Sequence, residues 1–103
     1  MISLILPIRN EGQSIEKTLQ SIFFQTIDKE FEIIVADGNS SDGTRELLKI
    51  LQINNPNIIL IDNPERIVST GFNRALSRAE GDIIIRVDGH CEIASDYIRK
   101  CLE

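Results

Sequence analysis

The chain has 103 residues, 42% of them hydrophobic and 26% charged, with a formal net charge of −5. One domain around one core fits that length, and an acidic chain of sequence pI near 4.8 lacks the basic footprint of a bulk nucleic-acid binder. A small anionic ligand stays open, because a few arginines or a metal ion reverse the field locally.

Residues 2–6 form an apolar run that reads as a buried strand closed by Pro7. The run is too short for a signal peptide or a spanning helix and no basic residues precede it. The expectation is a chain that is not inserted in a membrane and is cytoplasmic, a longer parent protein sitting at the inner face of the membrane. Residues 13–25 put Ile15, Leu19, Ile22 and Phe23 on one helical stripe. Residues 31–36 are the second strand. In the loop from Asp37 to Thr44, Gly38 and Gly43 supply positive φ, and Ser41 and Asp42 offer oxygens to the first turn of a helix that carries Leu47, Leu48 and Leu51.

Asn54-Asn55-Pro56-Asn57 is a turn signal. Residues 58–61 are the third strand, ended by Asp62-Asn63-Pro64. A third helix follows with Val68, Phe72, Ala75, Leu76 and Ala79 along one face, stopped by Gly81 in a left-handed conformation. Residues 82–87 are the fourth strand. Ser95 caps a last helix whose inner face is Tyr97, Ile98, Cys101 and Leu102. The strand–helix alternation implies an α/β fold: a Rossmann-like parallel sheet of about four strands with flanking helices and right-handed crossovers. The pattern stops at Glu103 within or just after a helix, which reads as a truncated domain. Strand 82–87 lacks a neighbour on one side, an exposed edge suited to self-association. Cys91 and Cys101 form no C-x-x-C pair and read as reduced thiols.

The chemistry gathers at strand ends. Pro7-Ile8-Arg9-Asn10-Glu11, Asp37 and Asp88-Gly89-His90 each follow a strand, and in open α/β sheets ligands sit at the carboxyl ends. One shared crevice for an anionic ligand follows, held through a metal or basic groups. The Asp37 carboxylate suits a base N–H or ribose hydroxyls. No lysine follows the glycines and no G-x-G-x-x-G occurs, so neither a Walker loop nor a dinucleotide fingerprint is present. Arg9, Arg66 and Arg86 are candidates for phosphate neutralisation, Arg66 the best placed, in the turn before the third helix. Asn73 lies in helical register near the first turn of that helix.

Taken in order, Leu6-Pro7-Ile8-Arg9-Asn10-Glu11, Gln25-Thr26, the segment from Glu32 to Thr44, Gly71-Phe72-Asn73-Arg74-Ala75-Leu76, Ala79-Glu80-Gly81-Asp82 and Asp88-Gly89-His90 resemble the start of family 2 glycosyltransferases. Arg86-Val87-Asp88-Gly89-His90 and Asp96-Tyr97-Ile98 look most like the bacterial polysaccharide branch, of the succinoglycan type. The resemblance implies an A-type glycosyltransferase fold of which residues 1–103 are the nucleotide-sugar-binding part. It implies a nucleotide-diphosphate donor, usually a UDP-sugar, inversion at the sugar carbon, and a glycan or lipid-linked acceptor. It places Pro7, Arg9, Asn10, Glu11 and Asp37 at the nucleoside. Read from the residues themselves, Gly38, Arg66, Asp88 and Asn73, which either reaches the crevice or faces solvent, complete the expected substrate-binding set. The resemblance makes Asp88-Gly89-His90 the counterpart of the family's Asp-x-Asp, whose divalent cation, manganese or magnesium, bridges the diphosphate.

Two departures stand out. Gly38 takes the place of a second aspartate, and His90 replaces the second acid of the metal motif, where hard cations favour oxygen. Asp88 is then the more secure ligand and His90 either a ligand or a donor to the diphosphate. The family's catalytic base has no counterpart up to Glu103, so the chain alone is expected to be inactive in sugar transfer. A non-catalytic nucleotide-binding or regulatory module is the alternative. A response-regulator-like domain is disfavoured, since no fifth strand carries a late lysine.

Overall fold

The computed structural model describes residues 1–26 and 29–102. Its elements run β1 (Ile2–Ile8), α1 (Ile15–Phe23), β2 (Phe31–Asp37), α2 (Thr44–Asn54), β3 (Ile58–Asp62), α3 (Val68–Arg78), β4 (Ile83–Arg86) and α4 (Tyr97–Cys101). The strands form one sheet of order β3-β2-β1-β4, and every pairing is parallel. All four carboxyl ends therefore lie along one edge, and β4 ends the sheet on one side.

Continuous apolar strands are what a parallel sheet covered on both faces selects. Along β1, Ile2, Leu4, Leu6 and Ile8 point one way, into a core with Ile33 and Val35 of β2, Ile15, Leu19 and Ile22 of α1, Leu48 of α2 and Ile98 of α4. Ile5, Ile34 and Ala36 point the other way and meet Ala75 of α3. So, among the described residues, α3 is the helix that covers the second face, and it does so through small residues. A Cβ on Gly71 would stand 2.9 Å from Asn63 Nδ2 and 3.2 Å from Pro7 Cβ, which is why that helix lies so close to the sheet.

Several local expectations are corrected by packing. Pro7 does not close β1; it pairs in register with Ala36, and the strand runs on to Ile8 opposite Asp37. Ile8 carbonyl accepts from Gly38 N–H on the β2 side, whereas Ile5 carbonyl accepts from Val87 N–H on the β4 side. Pro7, two residues beyond Ile5, faces the β4 side, where the ladder has already ended at Arg86, so its missing N–H costs no bond. Val68 and Leu76 are exposed rather than inward, because the sheet-facing line of α3 is Gly71 and Ala75. Gly81 is not left-handed; it is small because a Cβ there would lie 2.5 Å from Ser3 Oγ and 2.7 Å from Met1 carbonyl. Asp96, not Ser95, is the residue before α4, and no side chain caps it. Of the expected inner face of α4, Ile98 is buried and Leu102 packs on the core, but Tyr97 and Cys101 are exposed.

At the amino ends of the strands, a buried acid ties three segments together. Ser3 and Glu32 are register partners, and Ser3 Oγ donates to Glu32 Oε2 at 2.5 Å. The same oxygen accepts Glu80 N–H at 2.7 Å, while Ser3 Oγ accepts Gly81 N–H at 2.8 Å. Burial pushes the Glu32 carboxyl up, but the Ser3 hydroxyl and the Glu80 and Gly81 amides outweigh it and hold it below its ordinary 4.5. A lowered native value means that the charged form adds stability above the unfolded value and that this is lost as pH falls through the native one. Glu32→Gln is expected to cost about 1 kcal/mol at neutral pH. Urea unfolding of both proteins from pH 7 into the acid range checks this, with the difference shrinking below pH 4.5.

Candidate functional site

Parallel strands deliver three loops to one edge; hydrogen bonds lace the first two together, and a His90–Glu11 contact of 3.5 Å joins the third. The first loop, after β1, carries Arg9, Asn10 and Glu11; the second, after β2, runs from Gly38 to Gly43. Asn10 N–H donates to Ser40 Oγ at 2.9 Å, and Ser41 N–H donates to Asn10 Oδ1 at 2.8 Å. Gly12 N–H donates to Asp42 Oδ2 at 3.1 Å. The Thr44 hydroxyl and amide also donate to Asp42; the Thr44 hydroxyl, outweighing residual burial, holds the Asp42 carboxyl below its ordinary range. Asp42 thus supports the start of α2, as expected, while Ser41 serves the neighbouring loop instead.

Asp37 is fully buried at the tip of β2. Its Oδ1 accepts from Ser40 N–H at 3.2 Å and Ser40 Oγ at 2.5 Å, and its Oδ2 accepts from Arg45 Nε at 3.1 Å. Arg45 also pairs with Asp62 at the tip of β3. A carboxylate taken out of water needs such partners. Arg45 was not anticipated from sequence, although a cation in the first turn of the helix after a buried strand-end acid is the signal that marks it. Asp37, Asn39, Arg45, Asp62, Asn63 and Pro64 line an open cavity of about 540 Å³, within the ordinary range for a small-molecule site.

Gly38 is not in the left-handed region; Asn39 takes that conformation, with φ 60°. Glycine stands at 38 because of close approach: a Cβ there would lie 3.2 Å from Ile8 carbonyl, 3.3 Å from Arg66 Cα and 3.4 Å from Arg9 Cβ. Arg9 and Arg66 therefore flank Gly38, and both are exposed. Arg66, in the loop after β3, has φ 66° and Asn10 φ 54°, so the loops after β1, β2 and β3 each hold a non-glycine residue in a sparsely populated conformation. Strain of that kind clusters where a loop is shaped for a ligand.

The third loop follows β4. Asp88, His90 and Cys91 each offer one ligand atom, all within 4.8 Å of one another. Arg86 reaches Asp88 at 3.4 Å. His90 Nδ1 stands 3.5 Å from Glu11 Oε1, which joins this loop to the tip of β1. The turn is seated by α1: Ser14 Oγ and Thr18 Oγ1 both donate to Gly89 carbonyl at 3.1 Å. Neither hydroxyl was anticipated, since nothing local in sequence ties residue 14 or 18 to residue 89. A Cβ on Gly89 would stand 2.5 Å from Ile8 Cγ2. The donor set of carboxylate oxygen, imidazole nitrogen and thiol sulfur fits a divalent ion of the transition series better than magnesium.

The structure thus brings Arg9, Asn10, Glu11, Asp37, Gly38, Arg66, Asp88 and His90 to one edge. Two expected site residues lie elsewhere. Pro7 is buried beneath Gly71 of α3. Asn73 sits halfway along α3 in a shallow depression with Glu65, Thr70, Arg74 and Ser77. Among the described residues no helix is long and apolar enough to cross a membrane.

The sequence profile of Glycosyl transferase family 2 matches residues 3–103. The chain belongs to that family. It is 33% identical over 102 residues to the succinoglycan biosynthesis protein ExoA of Rhizobium meliloti, a match covering 97% of this chain and 31% of ExoA. Among solved structures, TarS of S. aureus superposes with a TM-score of 0.87 at 27% identity, over 98% of this chain and 18% of TarS; the TarS 1–349 structure in complex with UDP gives 0.83 at 26%, over 98% and 30%. The mannosyltransferase PcManGT of Pyrobaculum calidifontis, in complex with GDP-Man and Mn2+, gives 0.80 at 29%, over 86% of this chain and 27% of that one. The fold is that of the A-type glycosyltransferases, as the resemblance implied, and the chain spans about a third of the length of ExoA.

Gly89 gives a direct test of how the third loop is seated. Gly89→Ala is expected to push the turn off Ile8 and its two hydroxyl donors. Stability should fall by about 1–3 kcal/mol, measured by urea unfolding.

Proposed function

We propose that this chain is the donor-binding part of an inverting glycosyltransferase that takes a nucleotide-diphosphate sugar, a UDP-sugar in the first instance, and serves transfer to a glycan or lipid-linked acceptor in polysaccharide biosynthesis. The observation that carries the reading is the joining of three strand-end loops into one rim. That rim has a cavity of nucleoside size at the tips of β2 and β3 and a three-donor cluster beyond the tip of β4. From β2 to β4 is two strand spacings, about 10 Å, the order of the distance from a nucleoside to its own diphosphate. The UDP complex of TarS and the GDP-Man and Mn2+ complex of PcManGT support the ligand class.

On this reading the nucleoside lies against Asn39, Asn63 and the Asp37–Arg45 pair. Asp37, with both oxygens engaged by Ser40 and Arg45, fixes the loop and the arginine. Arg9 and Arg66, on either side of Gly38, face the phosphates, where guanidinium groups make bidentate pairs. Asp88 and His90 hold a divalent cation, which supplies Lewis-acid charge to the departing diphosphate. Glu11, behind Nδ1 of His90, orients the ring so that Nε2 carries the free lone pair. The base that takes the acceptor proton is proposed to lie outside these residues, in keeping with the share of ExoA that the chain spans.

Calorimetry with uridine diphosphate, with and without manganese, tests this. Metal-dependent binding that is lost in Asp88→Ala is the expected result. Equal weak binding of every nucleotide, indifferent to the metal and to the substitution, would overturn it. A coupled assay for released nucleotide diphosphate is expected to show no sugar transfer by the 103-residue chain, although the donor binds; turnover would refute the assignment of the base elsewhere.

A further inference from the structure

The third loop carries a donor that an oxygen-rich manganese or magnesium site does not need. Cys91 follows His90 directly, is half-buried, and places its sulfur within 4.8 Å of ligand atoms of both Asp88 and His90. The turn itself presents it: Cys91 N–H donates to Asp88 carbonyl at 3.1 Å, folding the thiol back over the carboxylate. Donor atoms on one tetrahedral zinc-class ion stand about 3.4–3.6 Å apart, given bond lengths near 2.1–2.3 Å. Side-chain rotation on this short turn closes the difference.

Resting on the donor-site reading above, we propose that Cys91 is a third protein ligand of the cation at the β4 tip and biases that site toward borderline-soft ions such as zinc and cobalt over manganese. One oxygen, one nitrogen and one sulfur make a set that thiolate-accepting ions prefer and that magnesium refuses. Coordination replaces the S–H bond by a metal–sulfur bond, and the proton leaves to solvent. The surroundings are arranged for it. The Gly89 carbonyl is pinned by Ser14 and Thr18, so the turn is held against α1. Glu11 stands behind His90 as the carboxylate partner common to metal-bound histidines. A second thiol, Cys101, is exposed on α4 and lies beside Tyr97; it falls outside the donor cluster and serves as the internal control.

Cobalt reports the bond directly, because a thiolate ligand adds an intense sulfur-to-cobalt charge-transfer band in the near ultraviolet. The chain is stripped with chelator and titrated with cobalt in the presence of uridine diphosphate, and manganese-dependent nucleotide binding is measured by calorimetry on separate aliquots of the stripped protein. The wild type and Cys101→Ser are expected to show the band, and Cys91→Ser to lose it while still binding cobalt. Zinc is also expected to displace manganese from the wild type at a lower excess than from Cys91→Ser, a comparison that cancels the general preference of any such site for zinc over manganese. Cobalt binding without the band in the wild type, or a band that survives Cys91→Ser or disappears in Cys101→Ser, overturns the proposal and leaves the donor site standing if manganese-dependent nucleotide binding persists. A band lost in Cys91→Ser with no metal-dependent nucleotide binding would instead uphold the thiol ligand and remove the donor-site reading. No cobalt binding by the wild type at all overturns the proposal.

Discussion

β1 and β2 are apolar along nearly their whole length, and apolar runs on two covered faces carry little information about register. Ser3 and Glu32 supply it. They are direct partners across the pair, and the buried carboxylate takes the Ser3 hydroxyl and the Glu80 amide at once. A slip of one residue would strand that charge away from water, at a cost that no apolar repacking offsets. With the register fixed at the amino ends, Asp37 must stand opposite Ile8 at the carboxyl ends. From there Gly38 N–H reaches Ile8 carbonyl, and the loops after β1 and β2 meet with Asn10 against Ser40 and Ser41.

The two buried acids of β2 therefore act at opposite ends of one strand. Glu32 is satisfied by neutral groups and anchors the fold. Asp37 is satisfied by Ser40 and by an arginine that is itself part exposed and pairs onward to Asp62. That chain of contacts carries order from the core to the lining of the cavity. The β4 tip is built differently. Its polar side chains are largely exposed, and what fixes it is backbone: the Gly89 carbonyl held by two hydroxyls of α1, with no room at Cα against Ile8.

What the sequence disclosed divides along the same line. Strand and helix order, the parallel sheet and the convergence of residues 9–11, 37 and 88–90 were readable, because hydrophobic periodicity is local and parallel strands share one carboxyl edge. Local rules failed where a distant neighbour decided the outcome. Gly81 and Gly38 follow a glycine-in-turn rule only in appearance, since each is glycine to admit a neighbouring backbone or side chain. Pro7 looked like a strand end because the β4 ladder, which stops short of it, is invisible in sequence. Val68 and Leu76 looked inward because they are apolar, while the sheet selected the small residues of α3. Arg45, Ser14 and Thr18 were missed for the same reason: each is defined by a partner that only the fold brings near.

Charge along the rim bears on why a cation belongs in the functional reading. Arg9, Arg45, Arg66 and Arg86 are set against Glu11, Asp37, Asp42, Asp62 and Asp88. Arg45 is committed to Asp37 and Asp62, and Arg86 leans on Asp88. Arg9 and Arg66 are the cations with no acidic partner among the described residues, and the chain as a whole is acidic. A diphosphate approaching such an edge meets little net attraction from the protein alone. A divalent ion between Asp88 and His90 would reverse the local sign and draw Asp88 away from Arg86, releasing that guanidinium toward the phosphates. On the proposed reading, such an exchange would let an acidic chain hold an anionic ligand, and donor affinity would then turn on the β4 tip as well as on Arg9 and Arg66.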